Sequence, residues 1–148
     1  VLRRMNETIE QIYHKHQIQN AQYALQIWYN NILKKTKDEL TIFDVTRMFR
    51  QRIFLDLAVS KALVFLTNDP FAGDCFPGEL LEKIVDIDTD IVKQNKVMLH
   101  RIIVTCEENI DSYDWSDNYE KSEFQSRLSV IIDKYKHIVN EVNNESTQ

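Results

Sequence analysis

Three carboxylates stand at alternate positions in the run Asp86-Ile87-Asp88-Thr89-Asp90. Calcium loops of the EF-hand type open with this alternation, because each carboxylate can turn an oxygen towards the ion. Such a loop also needs Gly at its sixth position and Glu at its twelfth, and here those positions hold Ile91 and Val97. We therefore reject a calcium loop and interpret the three acids as a solvated turn whose carboxylates favour a helix N-terminus.

The remaining residues that could do chemistry do not form a known catalytic or metal-binding pattern. On a helix His14 and His16 would point about 200° apart, so they could not share a metal. Cys75 and Cys106 are far apart and outside any CxxC motif, which predicts reduced thiols that act as small, partly buried hydrophobic residues. We predict no catalytic residue, no metal and no cofactor. An enzyme that uses Cys75 or the Asp86–Asp90 cluster remains an alternative.

A different kind of signal runs from Tyr113 to Glu120, where three large aromatic residues alternate with acids. Tyr and Trp commonly anchor protein interfaces, and acids around them select a basic partner. The alternative is that Trp115 and Tyr119 pack onto the fold and anchor the loop. The sequence nominates eight candidate contact residues for a protein partner: Asp86, Asp88, Asp90, Asp111, Asp114, Trp115, Asp117 and Tyr119.

The charge distribution supports a basic protein as the partner. The 148 residues carry a net charge of −5, which disfavours direct binding to nucleic acid. Residues 1–37 carry six basic and two acidic side chains, whereas 62–92 carry seven acids against Lys83 alone, and 107–120 carry six acids and no base. The two acidic tracts would suit a positively charged protein surface.

Hydrophobic spacing predicts helices along the whole chain, with no sustained strand-type alternation. We predict an all-α fold, a single compact bundle of about five or six helices in one domain spanning 1–148, with a frayed tail at about 143–148. The predicted helical segments are 6–35, as one helix or as two with a break near 16–20; one beginning at Thr41; one from Phe54, which could continue the previous helix; 79–85; one capped by Asp88 or Thr89 and reaching Cys106; and one through Phe124 to Val142.

Two local signals fix helix ends. Thr41 and Asp44 have the spacing of a capping box. Every glycine and proline of the chain lies between Pro70 and Gly78, so this segment must separate a helix that ends at Asn68–Asp69 from one that starts after Gly78. We expect the Pro70–Gly78 turn to be mainly architectural.

No segment indicates export or membrane insertion. The longest apolar runs, such as Ala62–Leu66, are too short to cross a bilayer, and the N-terminus has no apolar core of a signal peptide. The first residue is Val1, so the chain could be trimmed or could start naturally at Met5. We expect a cytoplasmic protein.

The run from Leu40 to Ile84 resembles the helical immunity proteins of bacterial contact-dependent growth inhibition systems. The resemblance rests on Asp44 at a capped helix start, on Gln51–Val59, on the turn Asp69–Asp74 and on Gly78-Glu79-Leu80-Leu81. Cys75, Phe76 and Pro77 depart from the aromatic and acidic residues that this family more often has there.

The resemblance implies a non-enzymatic cytoplasmic inhibitor that binds the toxic C-terminal domain of a cognate effector. Many such toxins are nucleases, whose basic clefts an acidic protein could cover. The alternative is a generic helical interaction module that binds another basic protein through the same surface. The oligomeric state stays open.

Overall fold

The computed structural model describes the backbone of residues 7–146 and the side chains of residues 7–140. Within this part of the chain there are eight α-helices, a 3-10 turn at Lys37–Glu39 and one isolated bridge between Thr8 and Thr36, with no strand. We number the helices in chain order as α1 (Ile9–Tyr13), α2 (Ala24–Leu33), α3 (Ile42–Gln51), α4 (Leu55–Asn68), α5 (Glu79–Ile87), α6 (Thr89–Gln94), α7 (Lys96–Asn109) and α8 (Asn118–Ser146). The predicted all-α class is confirmed.

The predicted count of five or six helices was wrong, because three segments are interrupted where no glycine or proline marks a break. α1 ends at Tyr13, because the next residue, His14, has a φ of 54°. The two-helix alternative therefore holds, and neither His14 nor His16 lies in a helix. Arg52 and Phe54 also adopt left-handed backbone angles and separate α3 from α4. Asn95 separates α6 from α7, and its side-chain amide donates to the carbonyl of Ile91 at 2.9 Å.

The core runs through the whole bundle, and α5 lies at its centre. α5 packs against α3, α4, α6 and α8, while α8 also packs along α6 and α7. Every helix contributes fully or nearly fully buried apolar side chains, among them Ile9, Ile32, Met48, Ala62, Leu81, Val92, Leu99 and Phe124. Burial of this kind is the main source of stability in a helical bundle.

The capping box predicted at the start of α3 is confirmed. The Thr41 hydroxyl accepts from the Asp44 amide, and the Asp44 carboxylate accepts from the Thr41 amide, both at 3.1 Å. Asp44 is also buried, and it accepts from the indole nitrogen of Trp28 at 3.0 Å and from the ammonium of Lys35 at 2.6 Å. This carboxylate therefore ties α2 and the segment after it to α3.

The Gly/Pro segment ends α4 at Asn68 and starts α5 after Gly78, as predicted. Gly78 has a φ of 85°, and a Cβ at this position would lie 2.7 Å from the Phe124 ring, so only glycine fits. The buried Glu79 carboxylate accepts from the amides of Asp74 and Cys75 at 2.8 and 3.0 Å and holds the turn closed. These contacts support an architectural role for the turn.

The ends of the chain leave two predictions open. The proposed start at Met5 lies outside the described residues. The fraying predicted for 143–148 falls on the end of α8, whose side chains are not described, and on residues 147–148, which lie outside the described backbone. No helix among the described residues has the length and apolar character needed to cross a membrane.

Candidate protein-binding site

An aromatic cluster joins the Gly/Pro turn to the loop that precedes α8. The ring of Phe71, in the turn, lies 4.3 Å from that of Tyr113 and 5.0 Å from that of Phe124. Trp115 packs among the same rings and donates its indole N–H to the carbonyl of Ile110 at 2.6 Å. The contacts of Trp115 therefore support the alternative interpretation, in which this residue anchors the loop. Its role in binding a partner stays a prediction.

This cluster places the turn beside the first turns of α8, and an open groove lies between them. We call it the α8 groove and define it by the residues that line it: Phe76, Pro77, Ser116, Asp117, Tyr119, Glu120, Glu123 and Arg127. Two of the candidate contact residues, Asp117 and Tyr119, are in it. Tyr119 is 73 % exposed, which makes it the most accessible large aromatic or aliphatic side chain among the described residues.

The three acids of the α8 groove are held in place by neutral donors. Asp117 accepts the amide of Glu120 at 2.7 Å and so caps α8, while Glu120 accepts the amide of Ser116 at 3.1 Å. Tyr119 donates its hydroxyl to Glu123, and this hydrogen bond raises the pKa of Tyr119. Among the described residues no basic side chain forms an ion pair with these acids, so within this part of the chain their three negative charges are not compensated.

Arg127 lies at the other end of the groove. Its guanidinium carbon is 4.0 Å from the centre of the Phe76 ring, and its Nε is 3.2 Å from the carboxylate of Glu82. The same guanidinium donates to the carbonyl of Pro77 at 3.5 Å. Glu82 therefore balances the charge of Arg127, which leaves the groove acidic overall.

The three candidate acids of the first tract, Asp86, Asp88 and Asp90, lie at the end of α5 and the start of α6. Asp86 pairs with Lys134 of α8 at 2.5 Å. Asp88 accepts the amide of Asp90 at 2.7 Å and caps α6, which confirms the interpretation of this run as a helix cap. All three carboxylates are exposed, and among the described residues no group of His, Cys, Asp and Glu side chains is arranged to hold a metal ion.

Helical periodicity shows which of these acids share a side of α8. Glu120, Glu123, Arg127 and Lys134 fall within about 60° of one another around the helix, so Asp86 lies on the same side as the α8 groove and about 16 Å along from it. Lys121, which pairs with Asp111 at 2.9 Å, is about 140° from Lys134. Asp86 and the groove residues Asp117 and Tyr119 therefore lie on one side of α8, and Asp111 lies on the other. Asp88 and Asp90 lie where α5 meets α6. Asp114 is exposed in the loop.

The cysteines do not provide an activated nucleophile. Cys106 is buried, but Cys75 is exposed, which corrects the prediction that both are partly buried. The charge of Glu79, with partial desolvation and Asp74, raises the pKa of Cys75. Fewer thiolates then form at neutral pH, which is the opposite of what a catalytic cysteine needs.

Six residues of the groove are not among the predicted contact residues: Phe76, Pro77, Ser116, Glu120, Glu123 and Arg127. Phe76 and Pro77 belong to the turn for which the sequence predicts an architectural role, and nothing in the sequence places them beside α8. Glu123 follows Tyr119 by four residues and follows Glu120 by three, so the acidic face of this helix could have been recognised from the sequence.

Comparison with known families assigns this helical fold to a class of proteins. The chain matches the family model of CDI immunity proteins over residues 10–102. It therefore belongs to the contact-dependent growth inhibition (CDI) immunity protein family, as the sequence resemblance indicated. No curated protein and no solved structure matches the chain.

The matched residues end within α7. They include Phe76 and Pro77 and the acids at 86, 88 and 90, but not the acidic loop or α8. One wall of the α8 groove, formed by Phe76 and Pro77, thus lies within the residues that match the family. The other wall, formed by the loop before α8 and by α8 itself, lies outside them.

Proposed function

We propose that this chain neutralises a cognate toxin domain by covering that domain's basic active cleft with the α8 groove and the acids that flank it at 86, 88 and 90. Membership of the CDI immunity family supports a toxin domain as the partner. The observation that carries the choice of surface is the uncompensated charge of Asp117, Glu120 and Glu123 beside the exposed ring of Tyr119. An exposed aromatic residue with acids around it suits a basic partner.

A nuclease is the toxin class that this surface fits best. A nuclease must bind the phosphates of its substrate, so its cleft is lined by Lys and Arg. Carboxylates held at fixed positions by caps and hydrogen bonds can replace those phosphates without catalysing any reaction. In this proposal the protein is not an enzyme, works in the cytoplasm and contacts neither nucleic acid nor membrane.

Co-expression tests the proposal directly. The toxin domain encoded next to this chain should arrest growth when it is expressed alone, and co-expression of the chain should restore growth and yield a complex that co-purifies. In a purified system, one equivalent of the chain should stop the toxin from degrading DNA or RNA. Loss of protection and of co-purification would refute the toxin partner, whereas protection against a toxin without nuclease activity would refute only the nuclease assignment.

A further inference from the structure

One end of the α8 groove already binds a guanidinium group, that of Arg127. Three kinds of group hold it: the face of the Phe76 ring, the carbonyl of Pro77 and the carboxylate of Glu82. A flat cation between an aromatic face and a carboxylate is a recurrent way of binding arginine. Two residues that line the groove, Phe76 and Pro77, thus already hold a guanidinium together with the neighbouring Glu82.

The other end of the groove offers similar groups. The ring of Tyr119 is exposed, and the carboxylates of Glu120 and Glu123 lie one helical turn apart on the same face of α8. No basic side chain among the described residues forms an ion pair with either glutamate. Because the two glutamates accept only from neutral donors, a cation from outside can join them without displacing an existing ion pair.

We propose that this end of the groove takes one arginine side chain of the toxin, with the Tyr119 ring as its stacking wall and Glu120 and Glu123 as its charge partners. This inference rests on the proposed function and names the specificity-determining contact within it. Arginine fits better than lysine, because a planar guanidinium can stack on a ring and donate to two carboxylates at once. A lysine ammonium would keep the charge attraction but lose the stacking geometry.

The test measures binding of a catalytically inactive toxin domain to wild type and to two matched double variants. Glu120→Gln/Glu123→Gln removes the groove charges, and Glu107→Gln/Glu108→Gln removes two exposed charges outside the groove at the end of α7. We expect the groove variant to bind roughly 30-fold more weakly and the control less than about threefold more weakly. Circular dichroism melting checks that both variants fold.

A cross-link identifies the bound side chain. With p-benzoylphenylalanine in place of Tyr119, the photoproduct should contain a toxin segment that bears an arginine, and alanine in place of that arginine should abolish the difference between wild type and Glu120→Gln/Glu123→Gln. If wild type binds the toxin but the two double variants weaken binding equally, the inference is wrong. A cross-link to a toxin segment without arginine would also contradict it. If wild type does not bind the toxin at all, the proposed function itself fails.

Discussion

Asp44 joins three parts of the chain through one buried carboxylate. It accepts from Trp28 on α2, from Lys35 after α2 and from Thr41 at the start of α3. Burial by itself would raise the pKa of Asp44, but the hydrogen bonds from Lys35, Thr41 and Trp28 outweigh it, so the pKa of this carboxyl is lowered. The ionised form is therefore the one that stabilises the fold.

We expect Asp44→Asn to lower the free energy of unfolding by about 2 kcal/mol, because it leaves Lys35 without its anion and disturbs a buried network. Urea denaturation measures the change. Asp111→Asn is the matched control, since it breaks an exposed pair with Lys121 and should cost less than about 0.5 kcal/mol. Equal losses in the two variants would contradict the role of Asp44.

The stability difference between wild type and Asp44→Asn should depend on pH, and the lowered pKa of Asp44 sets the direction of that dependence. A carboxyl whose pKa is lowered in the folded state stabilises the protein above its unfolded pKa and loses that effect as the pH falls through the folded value. The stability difference between wild type and Asp44→Asn should therefore be complete at pH 7 and shrink below about pH 4. A difference that stays constant down to pH 3 would show that the charge of Asp44 is not what stabilises the fold.

At the scale of the elements, the turn between α4 and α5 sets the geometry of the site. Phe71 in this turn packs on Phe124 of α8, and Gly78 lies against the same ring. This contact brings the following residues, Phe76 and Pro77, to the start of α8. The groove therefore depends on close approach of the turn backbone to α8.

Gly78→Ala tests that dependence. A left-handed φ of 85° disfavours alanine by about 1–2 kcal/mol, and the new Cβ would collide with Phe124. We expect a total loss of about 2–3 kcal/mol in thermal or urea unfolding. In the double variant Gly78→Ala/Phe124→Leu the smaller side chain should relieve the collision, so the two losses should not add. If the two losses of stability add strictly, the Phe124 ring is not what excludes a side chain at position 78.

Local signals predicted much of this architecture, and long-range contacts account for what they missed. The caps at Thr41 and Asp88 and the end of α4 were predictable, because each depends on residues a few positions apart. The break at Asn95 was not predictable, and those near His14 and Arg52 were left open as alternatives, since left-handed or distorted backbone at a non-glycine residue is imposed by packing elsewhere.

The candidate site was predictable only in part for the same reason. Alternation of aromatic residues and acids pointed to the segment that holds Asp117 and Tyr119. It left open whether Trp115 binds a partner or packs onto the fold, and it gave no indication that Phe76, about 40 residues earlier, would form the opposite wall. Pairing of the turn with α8 depends on tertiary packing, which no local pattern encodes.

At the scale of the whole molecule, charge is segregated along the chain. Residues 1–52 carry nine basic and five acidic side chains, whereas 53–148 carry nine basic and eighteen acidic ones. The turn before α5 and the start of α8, which frame the α8 groove, belong to the acidic part. Such an arrangement should attract a basic toxin to this part of the surface over a distance of about one Debye length.

We expect the association rate constant for the toxin domain to fall by roughly tenfold between 50 mM and 500 mM NaCl, with a smaller change in the dissociation rate. Stopped-flow fluorescence measures both rates. The variant Glu120→Gln/Glu123→Gln should show a weaker salt dependence than Glu107→Gln/Glu108→Gln. An association rate that does not respond to salt would argue against electrostatic attraction.

Hydrogen–deuterium exchange of the free chain and of its toxin complex shows whether the α8 groove contacts the toxin, because it maps the contact surface without any substitution. We expect slower exchange in the complex at residues 74–79 and 112–127, which frame the α8 groove. Protection confined to α1–α3, with unchanged exchange at the groove, would contradict this expectation.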